Sequence, residues 1–381
     1  MSSSPPSNPG YTSIAGSRCL VTGSSGLVGG RLVVMLLERG ASLVRCFDLA
    51  PPPSSVKSAA AAASKEHGGE VEWVQGDLTD VCAVRSSLSP SKSGPIDVCY
   101  HIAALVGPYF PFPLYYKVNY QGSLNVLSGC QQHGVKKLVM SSSPSTRFTG
   151  ADIKGARDAD LPYPETYLQP YAETKAMAER AVREANDPPS LMTVAVAPHQ
   201  VYGPEDRLFL PNLMEAAGKG MLRVFGDGEN LCSFCHVDNY CHGLMCGSDA
   251  LYPGSPALSS FYIVTDSEPQ KFWHVLNSAA VGLGFDDMFG KFKLPGALML
   301  AVAWCLDWIG WAVGRKFKLS TFSVRMLLIH RHFDIKRARD ELKYEPMLEF
   351  EEGWEKTLEW MRENWLPGFL EKRGGTKEKK E

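Results

Sequence analysis

Tyr171-Ala172-Glu173-Thr174-Lys175 places a phenol and an ammonium four residues apart, one turn along a helix face. A phenol titrates near pH ~10 and a neighbouring cation favours the phenolate, so this pair predicts a Tyr171 that exchanges a proton with a substrate hydroxyl near neutral pH. Lys175 is also placed to hold a ribose. Alone, such a pair is an ordinary solvated helix contact, but its company changes the reading. Ser141-Ser142-Ser143 ends an apolar run, where a hydroxyl can hydrogen-bond the reacting oxygen, and Asn119 opens Asn119-Tyr120-Gln121-Gly122-Ser123-Leu124-Asn125. Together they form a proton-handling set suited to interconverting a secondary alcohol and a ketone. Ser142 and Ser143 both qualify for the hydroxyl, and Ser145 is either an assistant or a turn residue.

Thr22-Gly23-Ser24-Ser25-Gly26-Leu27-Val28-Gly29 follows a short β-branched run and opens an apolar helix. Small residues are needed there because the backbone must approach a pyrophosphate at the helix N-terminus. Asp48 lies nineteen residues past Gly29, at the end of the next strand. A carboxylate there accepts hydrogen bonds from adenosine ribose hydroxyls and repels a 2′-phosphate, which favours NAD over NADP; nearby Arg45 leaves NADP open. In Gly76-Asp77-Leu78, Asp77 is read either as a neighbour of the adenine amino group or as a helix cap.

These residues need a scaffold that brings them together. Runs at 19–21, 43–47, 71–74, 98–102, 137–141 and 193–197 alternate with helical patterns at 27–39, 117–133 and 170–185. Such alternation predicts an α/β fold, a doubly wound parallel sheet of the Rossmann kind. Ser54 to Gly69, rich in Ala, Ser and Lys, is read as a surface loop insertion. Beyond Tyr202 the alternation loosens, and 208–219, 234–250 and 261–265 read as a smaller mixed region that supplies substrate contacts at the sheet's C-terminal edge. The resulting division is a disordered tail at 1–16, a dinucleotide domain at 17–200, a substrate region at 201–290 and 319–368, an apolar segment at 291–318 and a charged tail at 369–381.

Composition sets bounds. With 381 residues, 44% of them hydrophobic, and a net charge of −2, the chain buries a substantial core and has no concentrated basic face for nucleic acid. Its ten cysteines are scattered, several within apolar runs (Cys19, Cys46, Cys99), and read as core residues of a reducing compartment. The group Cys232, Cys235, His236, Cys241, His242 and Cys246 matches no standard zinc spacing, so no metal is expected.

The glycine motif, Asp48, Asp77, the Asn-x-x-Gly-x-x-Asn segment, the serine run and Tyr-x-x-x-Lys occur in the order seen in extended short-chain dehydrogenases/reductases, which the chain resembles over about residues 17 to 365. The resemblance implies that Tyr171 is the acid/base, Lys175 its electrostatic partner and Ser143 the group orienting substrate, with Asn119 supporting the proton relay. It also implies cofactor contacts from Gly23, Ser25, Gly26, Leu27, Gly29, Asp48, Asp77, Leu78, Ala103, Tyr171, Lys175 and Pro198. A homodimer is compatible with it.

Two substrate classes use this scaffold, nucleotide sugars and hydroxysteroids. The former place an arginine within the Gly-x-Gly…Phe segment, where Gly226 to Phe234 carries Cys232. An uncharged residue cannot hold a diphosphate. His101-Ile102-Ala103-Ala104 and the loop Tyr109 to Pro113 resemble the 3β-hydroxysteroid dehydrogenase branch. Asp152-Ile153-Lys154, Pro198 to Pro204 and His330 to Asp334 are similar to its members that oxidise and decarboxylate 4α-carboxysterols. That resemblance implies oxidation to a 3-ketone, whose β-carboxylate then leaves as carbon dioxide. Family members carry arginine before Pro198, and Ala197 replaces it here; Arg207, Arg147 and Lys154 are the candidates to meet a substrate carboxylate. The alternatives are a hydroxysteroid dehydrogenase/isomerase, an NADPH-dependent reductase, and a non-catalytic NAD-binding scaffold or redox sensor.

Leu294 to Gly314 is strongly apolar, and as a helix its roughly 20 residues reach about 30 Å, enough to span or embed in a bilayer. Asp307 interrupts it, Trp304, Trp308 and Trp311 recur at helical spacing, and Lys291, Lys293, Arg315, Lys316 and Lys318 flank it. A buried core helix is the other reading. The family's sterol chemistry favours membrane lipid as a partner. The ending Lys377-Glu378-Lys379-Lys380-Glu381 resembles an endoplasmic-reticulum retrieval signal, placing the catalytic domain on the cytosolic side of that membrane; an ordinary charged tail is the other reading.

Overall fold

The computed structural model describes residues 14–107, 110–315, 317 and 319–377. Most of the N-terminal tail, Tyr109, Lys316, Lys318 and the last four residues of the C-terminal signal lie outside the described residues.

Strands β1 (Arg18–Thr22), β2 (Leu43–Asp48), β3 (Glu70–Gln75) and β4 (Val98–His101) alternate with helices α1 (Leu27–Glu38), α2 (Ser54–His67) and α3 (Val81–Leu88). A short α4 (Phe112–Tyr115) runs through a π-helical turn, Tyr116–Gln121, into α5 (Gly122–His133), and β5 (Lys137–Ser141) follows. Next come β6 (Ile153–Arg157), α6 (Pro170–Glu184), β7 (Met192–Pro198), β8 (Val201–Tyr202), α7 (Leu210–Gly218), β9 (Leu231–Cys232), β10 (Cys235–His236) and α8 (Val237–Asp249). The chain ends with β11 (Ser260–Val264), β12 (Gln270–Lys271), α9 (Phe272–Gly282), α10 (Gly296–Ala312), α11 (Thr321–Leu328), β13 (Arg331–Asp334), α12 (Lys336–Leu342), α13 (Phe350–Trp360) and α14 (Leu366–Lys377).

The main sheet has seven parallel strands in the order β11-β7-β5-β4-β1-β2-β3. Strands buried on both faces need apolar residues throughout, and Cys19, Leu20 and Val21 are fully buried. One core packs α1 and α8 against one face; a second packs α3, α5 and α6 against the other. The order reverses between β1 and β4, which opens the crevice where such sheets bind ligands.

Several expectations are corrected. Ser54 to Gly69 is the helix α2, not a loop: alanine is the strongest helix former, and Val56, Ala60 and Ala63 make a buried stripe. Val56 fits because its partner on α1 is Gly30, where a Cβ would come within 2.8 Å of it. Residues 261–264 lie in β11, an edge strand of the main sheet, rather than in the smaller region. The converse holds for β6, which joins β12, β9 and β13 in a separate four-stranded sheet, so the substrate region draws a strand from inside residues 17–200. The pattern at 117–133 is a helix broken by a π turn.

Among the described residues no helix is long and apolar enough to cross a membrane. Helix α10 has 17 residues and ends where Gly314 turns left-handed (φ 66°) and the Arg315 amide returns to the Gly310 carbonyl at 2.8 Å. Asp307, the charge within this segment, accepts the Thr321 amide at 2.9 Å, the first amide of α11, whose cap is Ser320. The helix buries only Ala303 and Gly310, which does not match a core helix either.

The cysteines are free thiols, buried except for Cys82 and Cys305. The cysteine and histidine group from Cys232 to Cys246 is spread over β9, β10 and α8, where the His236 ring nitrogen accepts the Asp238 amide as a helix cap.

Candidate active site

A cavity of about 1080 Å³ runs from the glycine loop to the four-stranded sheet. It lies at the top of the about 300–1,000 Å³ range of ligand pockets and reaches from the glycine loop past Tyr171 to Phe333.

At the switch point, Gly23 has φ +75° and a Cβ there would lie 2.7 Å from the Ala103 amide. A Cβ on Gly29 would lie 2.0 Å from the Gly23 carbonyl. Both positions therefore require glycine for the turn to close. Gly26 sits at the N-cap of α1 with no side-chain cap, leaving the first helical amides facing the cavity and available to a phosphate. Ser25, Leu27, Leu78, Ala103 and Pro198 also line the wall.

Asp48 lines it too, its carboxylate accepting the Ser25 and Ala50 amides at 2.9 Å each. Asp77 faces the cavity and closes a turn by accepting the Thr79 amide at 2.8 Å; the helix cap is Asp80 instead. Arg45 is not available to a 2′-phosphate. It is buried, with its guanidinium on Glu72 at 2.6 Å and on the carbonyls of Ser87 and Ser89. These features fit a dinucleotide with free ribose hydroxyls.

Tyr171, in the first turn of α6, reaches the cavity beside Ser143. The Ser143 hydroxyl hydrogen-bonds the phenol, lowering its pKa, but burial dominates and pushes it up to about 12. The neighbouring cation was expected to favour the phenolate; in the fold, desolvating the anion is the larger effect and outweighs the hydrogen bond. Lys175 is buried beneath, its ammonium donating to the Ser141 carbonyl at 2.6 Å, and burial lowers its pKa to about 8.

The structure separates the three serines. Ser142 Oγ turns away and donates to Glu179 at 2.6 Å. Ser143 accepts from the Ser145 hydroxyl at 2.9 Å and from its amide at 3.2 Å, so Ser145 orients Ser143 as well as forming the turn. Ser141 accepts from the Tyr240 hydroxyl at 2.7 Å. Asn119 lies in the π turn, buried behind the cavity wall: its amide oxygen accepts the Leu105 amide at 2.8 Å and its nitrogen donates to the Leu105 carbonyl at 3.0 Å. It clamps the loop after β4 and does not join the phenol and serine at the cavity.

Sequence reasoning missed Tyr115, Tyr240 and Arg331. Tyr115 stands edge-on to Tyr171 at 6.0 Å and is itself met edge-on by Phe110 at 5.7 Å, which is how the aromatic loop reaches the site. His101 ties β4 to Thr22 and Ser123, at 2.8 Å each, and burial lowers its pKa to about 3, so it stays neutral. Phe148, Ile153, Phe322, Met326 and Phe333 give the cavity an apolar lining, to which the loop 198–200 adds the polar His199 and Gln200.

Of the three bases expected at a substrate carboxylate, Arg147 is buried on Glu179 at 2.5 Å, Lys154 pairs with Asp152 at 2.9 Å and Arg207 is not on the cavity wall. The corner around Cys232 is not without charge as expected, because Arg331 lies directly across from Cys232 in the neighbouring strand.

A sheet reversing at β1/β4, a glycine turn at the reversal and a tyrosine on a serine above a lysine define a dinucleotide-dependent oxidoreductase of the short-chain type. The 3-beta hydroxysteroid dehydrogenase/isomerase family matches residues 20–294, and the chain belongs to that family. It is 33% identical over 353 residues to 3beta-hydroxysteroid-dehydrogenase/decarboxylase isoform 1 of Arabidopsis thaliana, covering 90% of this chain and 79% of that protein. To the human sterol-4-alpha-carboxylate 3-dehydrogenase, decarboxylating, it is 32% identical, covering 91% and 88%. The 2-alkyl-3-oxoalkanoate reductase of Stenotrophomonas maltophilia is 30% identical over 88% of this chain and 97% of its own. In fold it is similar to the dTDP-glucose 4,6-dehydratase of Streptomyces venezuelae solved with NAD, at a TM-score of 0.68 and 20% identity over 91% and 97%.

Proposed function

We propose that this enzyme oxidises the 3β-hydroxyl of a 4α-carboxysterol with NAD, the resulting 3-ketone losing its neighbouring carboxylate as carbon dioxide. The observation that carries the reading is the Tyr171–Ser143 pair facing a cavity shared by the glycine loop and an apolar wall. The relatives' names agree in chemistry: a sterol-4-carboxylate oxidised at carbon 3 and a 3-oxoalkanoate both carry the reacting oxygen β to a carboxylate.

Gly23 to Gly29 and Asp48 would hold NAD, which would supply the hydride acceptor and a positive ring charge favouring the Tyr171 phenolate. Ser143 positions the hydroxyl oxygen. Tyr171 takes the hydroxyl proton as the carbon-bound hydrogen departs as hydride, and Lys175 beneath stabilises the phenolate. The β-keto acid so formed loses carbon dioxide because the ketone delocalises the developing carbanion.

The test supplies purified protein with NAD and a 4α-carboxysterol, and separately with the same sterol lacking the carboxylate. NADH and carbon dioxide are expected in equal amounts from the first and NADH alone from the second. Absence of NADH from both would overturn the reading. Tyr171→Phe is expected to lower turnover about 10²–10⁴-fold with NADH affinity kept.

The exposed face of α10 supports a second part of this reading, docking on the endoplasmic-reticulum membrane with the catalytic cavity on the cytosolic side. Trp304, Trp308 and Trp311 are 58%, 55% and 78% exposed and stand edge to face along the helix. Amphipathic indoles on a helix too short to span suit an interface, where a sterol substrate also resides. Replacing the three with serine is expected to move the protein from the vesicle pellet to the supernatant; unchanged pelleting of the folded variant refutes it.

A further inference from the structure

Arg331 opens β13 and faces the cavity. Its guanidinium has two partners: Nη1 meets His199 Nε2 at 3.5 Å, and Nη2 donates to the Met326 carbonyl at 3.1 Å. His199 is built to accept. Its Nδ1 donates to the Ser233 carbonyl at 2.7 Å, which fixes the tautomer with a lone pair on Nε2. Burial and the adjacent arginine charge hold the ring neutral, with a pKa down at about 3.

The Arg331 Nε is buried and has no hydrogen-bond partner. Among the described residues no carboxylate lies within ion-pairing distance of it, whereas the buried guanidinia of Arg45 and Arg147 rest on Glu72 and Glu179. A half-buried cation with no carboxylate partner, on a cavity wall shared with Phe322, Met326 and Phe333, is matched by an anionic group on the ligand.

We propose that Arg331 is the substrate-carboxylate anchor, making a charge-assisted pair with the acid group beside the hydroxyl-bearing carbon and thereby selecting carboxylated sterols. The inference rests on the dehydrogenase reading above and names the residue that sets its substrate class. Among the described residues the other full cation on the wall is Lys117, which is exposed and already solvated. A nucleoside diphosphate offers the same oxyanion chemistry, but the apolar side chains around Arg331 favour one carboxylate on a hydrocarbon body over a polar nucleotide.

The experiment compares the wild-type protein with Arg331→Gln, Arg331→Lys and Lys117→Gln. Calorimetric affinity and initial rates are measured for a 4α-carboxysterol, its analogue lacking the carboxylate, and UDP-glucose. Arg331→Gln is expected to weaken carboxysterol binding about 10–100-fold, the worth of a hydrogen-bonded charge, while leaving the analogue and NADH within about twofold. Arg331→Lys is expected to keep part of the affinity, and its comparison stands alone if the glutamine variant fails to fold. Equal losses on both sterols, no loss, a loss that follows Lys117→Gln instead, or UDP-glucose binding that depends on Arg331 would each overturn the anchor. Wild-type protein that oxidises neither sterol is a different failure, that of the dehydrogenase reading itself.

Discussion

Replacing Arg147 with methionine tests how the serine turn is held. Glu179 is fully buried and accepts from Arg147 Nη1 at 2.6 Å, Arg147 Nη2 at 2.5 Å, Ser142 at 2.6 Å and Tyr163 at 2.7 Å. Arg147→Met leaves the carboxylate in place without its bidentate partner, a loss of about 3–5 kcal/mol when one half of a buried pair is removed. Arg183, 3.5 Å from the same carboxylate, remains as a weaker cation and sets the expectation at about 3 kcal/mol. Urea unfolding provides the measurement. Adding Glu179→Gln, which removes the charge, keeps one acceptor oxygen and turns an amide donor toward the other hydroxyl, is expected to restore most of the loss. The pH dependence has a definite sign. Burial pushes the Glu179 carboxyl up, but its hydrogen bonds and the charge of Arg147 outweigh it and hold it below its ordinary range, so the wild-type contribution is complete above pH ~4.5 and is lost only as pH falls through the lowered value. Without Arg147, burial raises that pKa, and protonation relieves the variant as pH falls from 7 toward 5. The stability gap between the two proteins must therefore narrow on acidification. A loss under about 1 kcal/mol at pH 7, or a gap that widens in acid, would refute the assignment of this pair as the support of the turn that carries Ser143.

Gly29→Ala drives a methyl against the Gly23 carbonyl, where overpacking costs about 1–3 kcal/mol, and NADH binding measured by fluorescence is expected to disappear while the fold persists. Ser143→Ala is expected to lower turnover about 10²-fold by removing the donor to the reacting oxygen, whereas Ser142→Ala keeps turnover within a few-fold and shows its effect in unfolding; the reverse order in steady-state kinetics would exchange their roles.

Local chemistry was legible and partnership was not. The strand at 137–141 could be read because an apolar run sits between polar turns, and the glycine turn because its spacing is dictated by backbone contact. Tyr171 and Lys175 were found because one helical turn relates them, yet the direction of the Tyr171 shift was misread: the sequence displays the neighbouring lysine but not the burial that outweighs it. The residues alone left Ser142 beside Ser143, and only the family resemblance favoured Ser143; what separates them in the fold is Glu179 on α6, 37 residues beyond Ser142. Arg331 stayed hidden for the same reason, its partner His199 lying 132 residues earlier. The alanine-rich stretch of α2 was within reach: low complexity suggested a loop, while the spacing of Val56, Ala60 and Ala63 already described a buried helical stripe. The π turn at Tyr116–Gln121 has no periodic signature, since it shifts hydrogen bonds without altering the apolar pattern.

Strand β13 pairs along its length with β6 and touches β9, so a segment made well after the catalytic helix is stitched to one made before it. The nucleotide half has its seven strands once residue 264 has been made, but the pocket for the second molecule has one wall missing until residues 331–334 arrive. A nascent or truncated chain ending before that strand would hold a complete cofactor cradle beside an unfinished chamber, able to take up the dinucleotide and unable to discriminate what is oxidised.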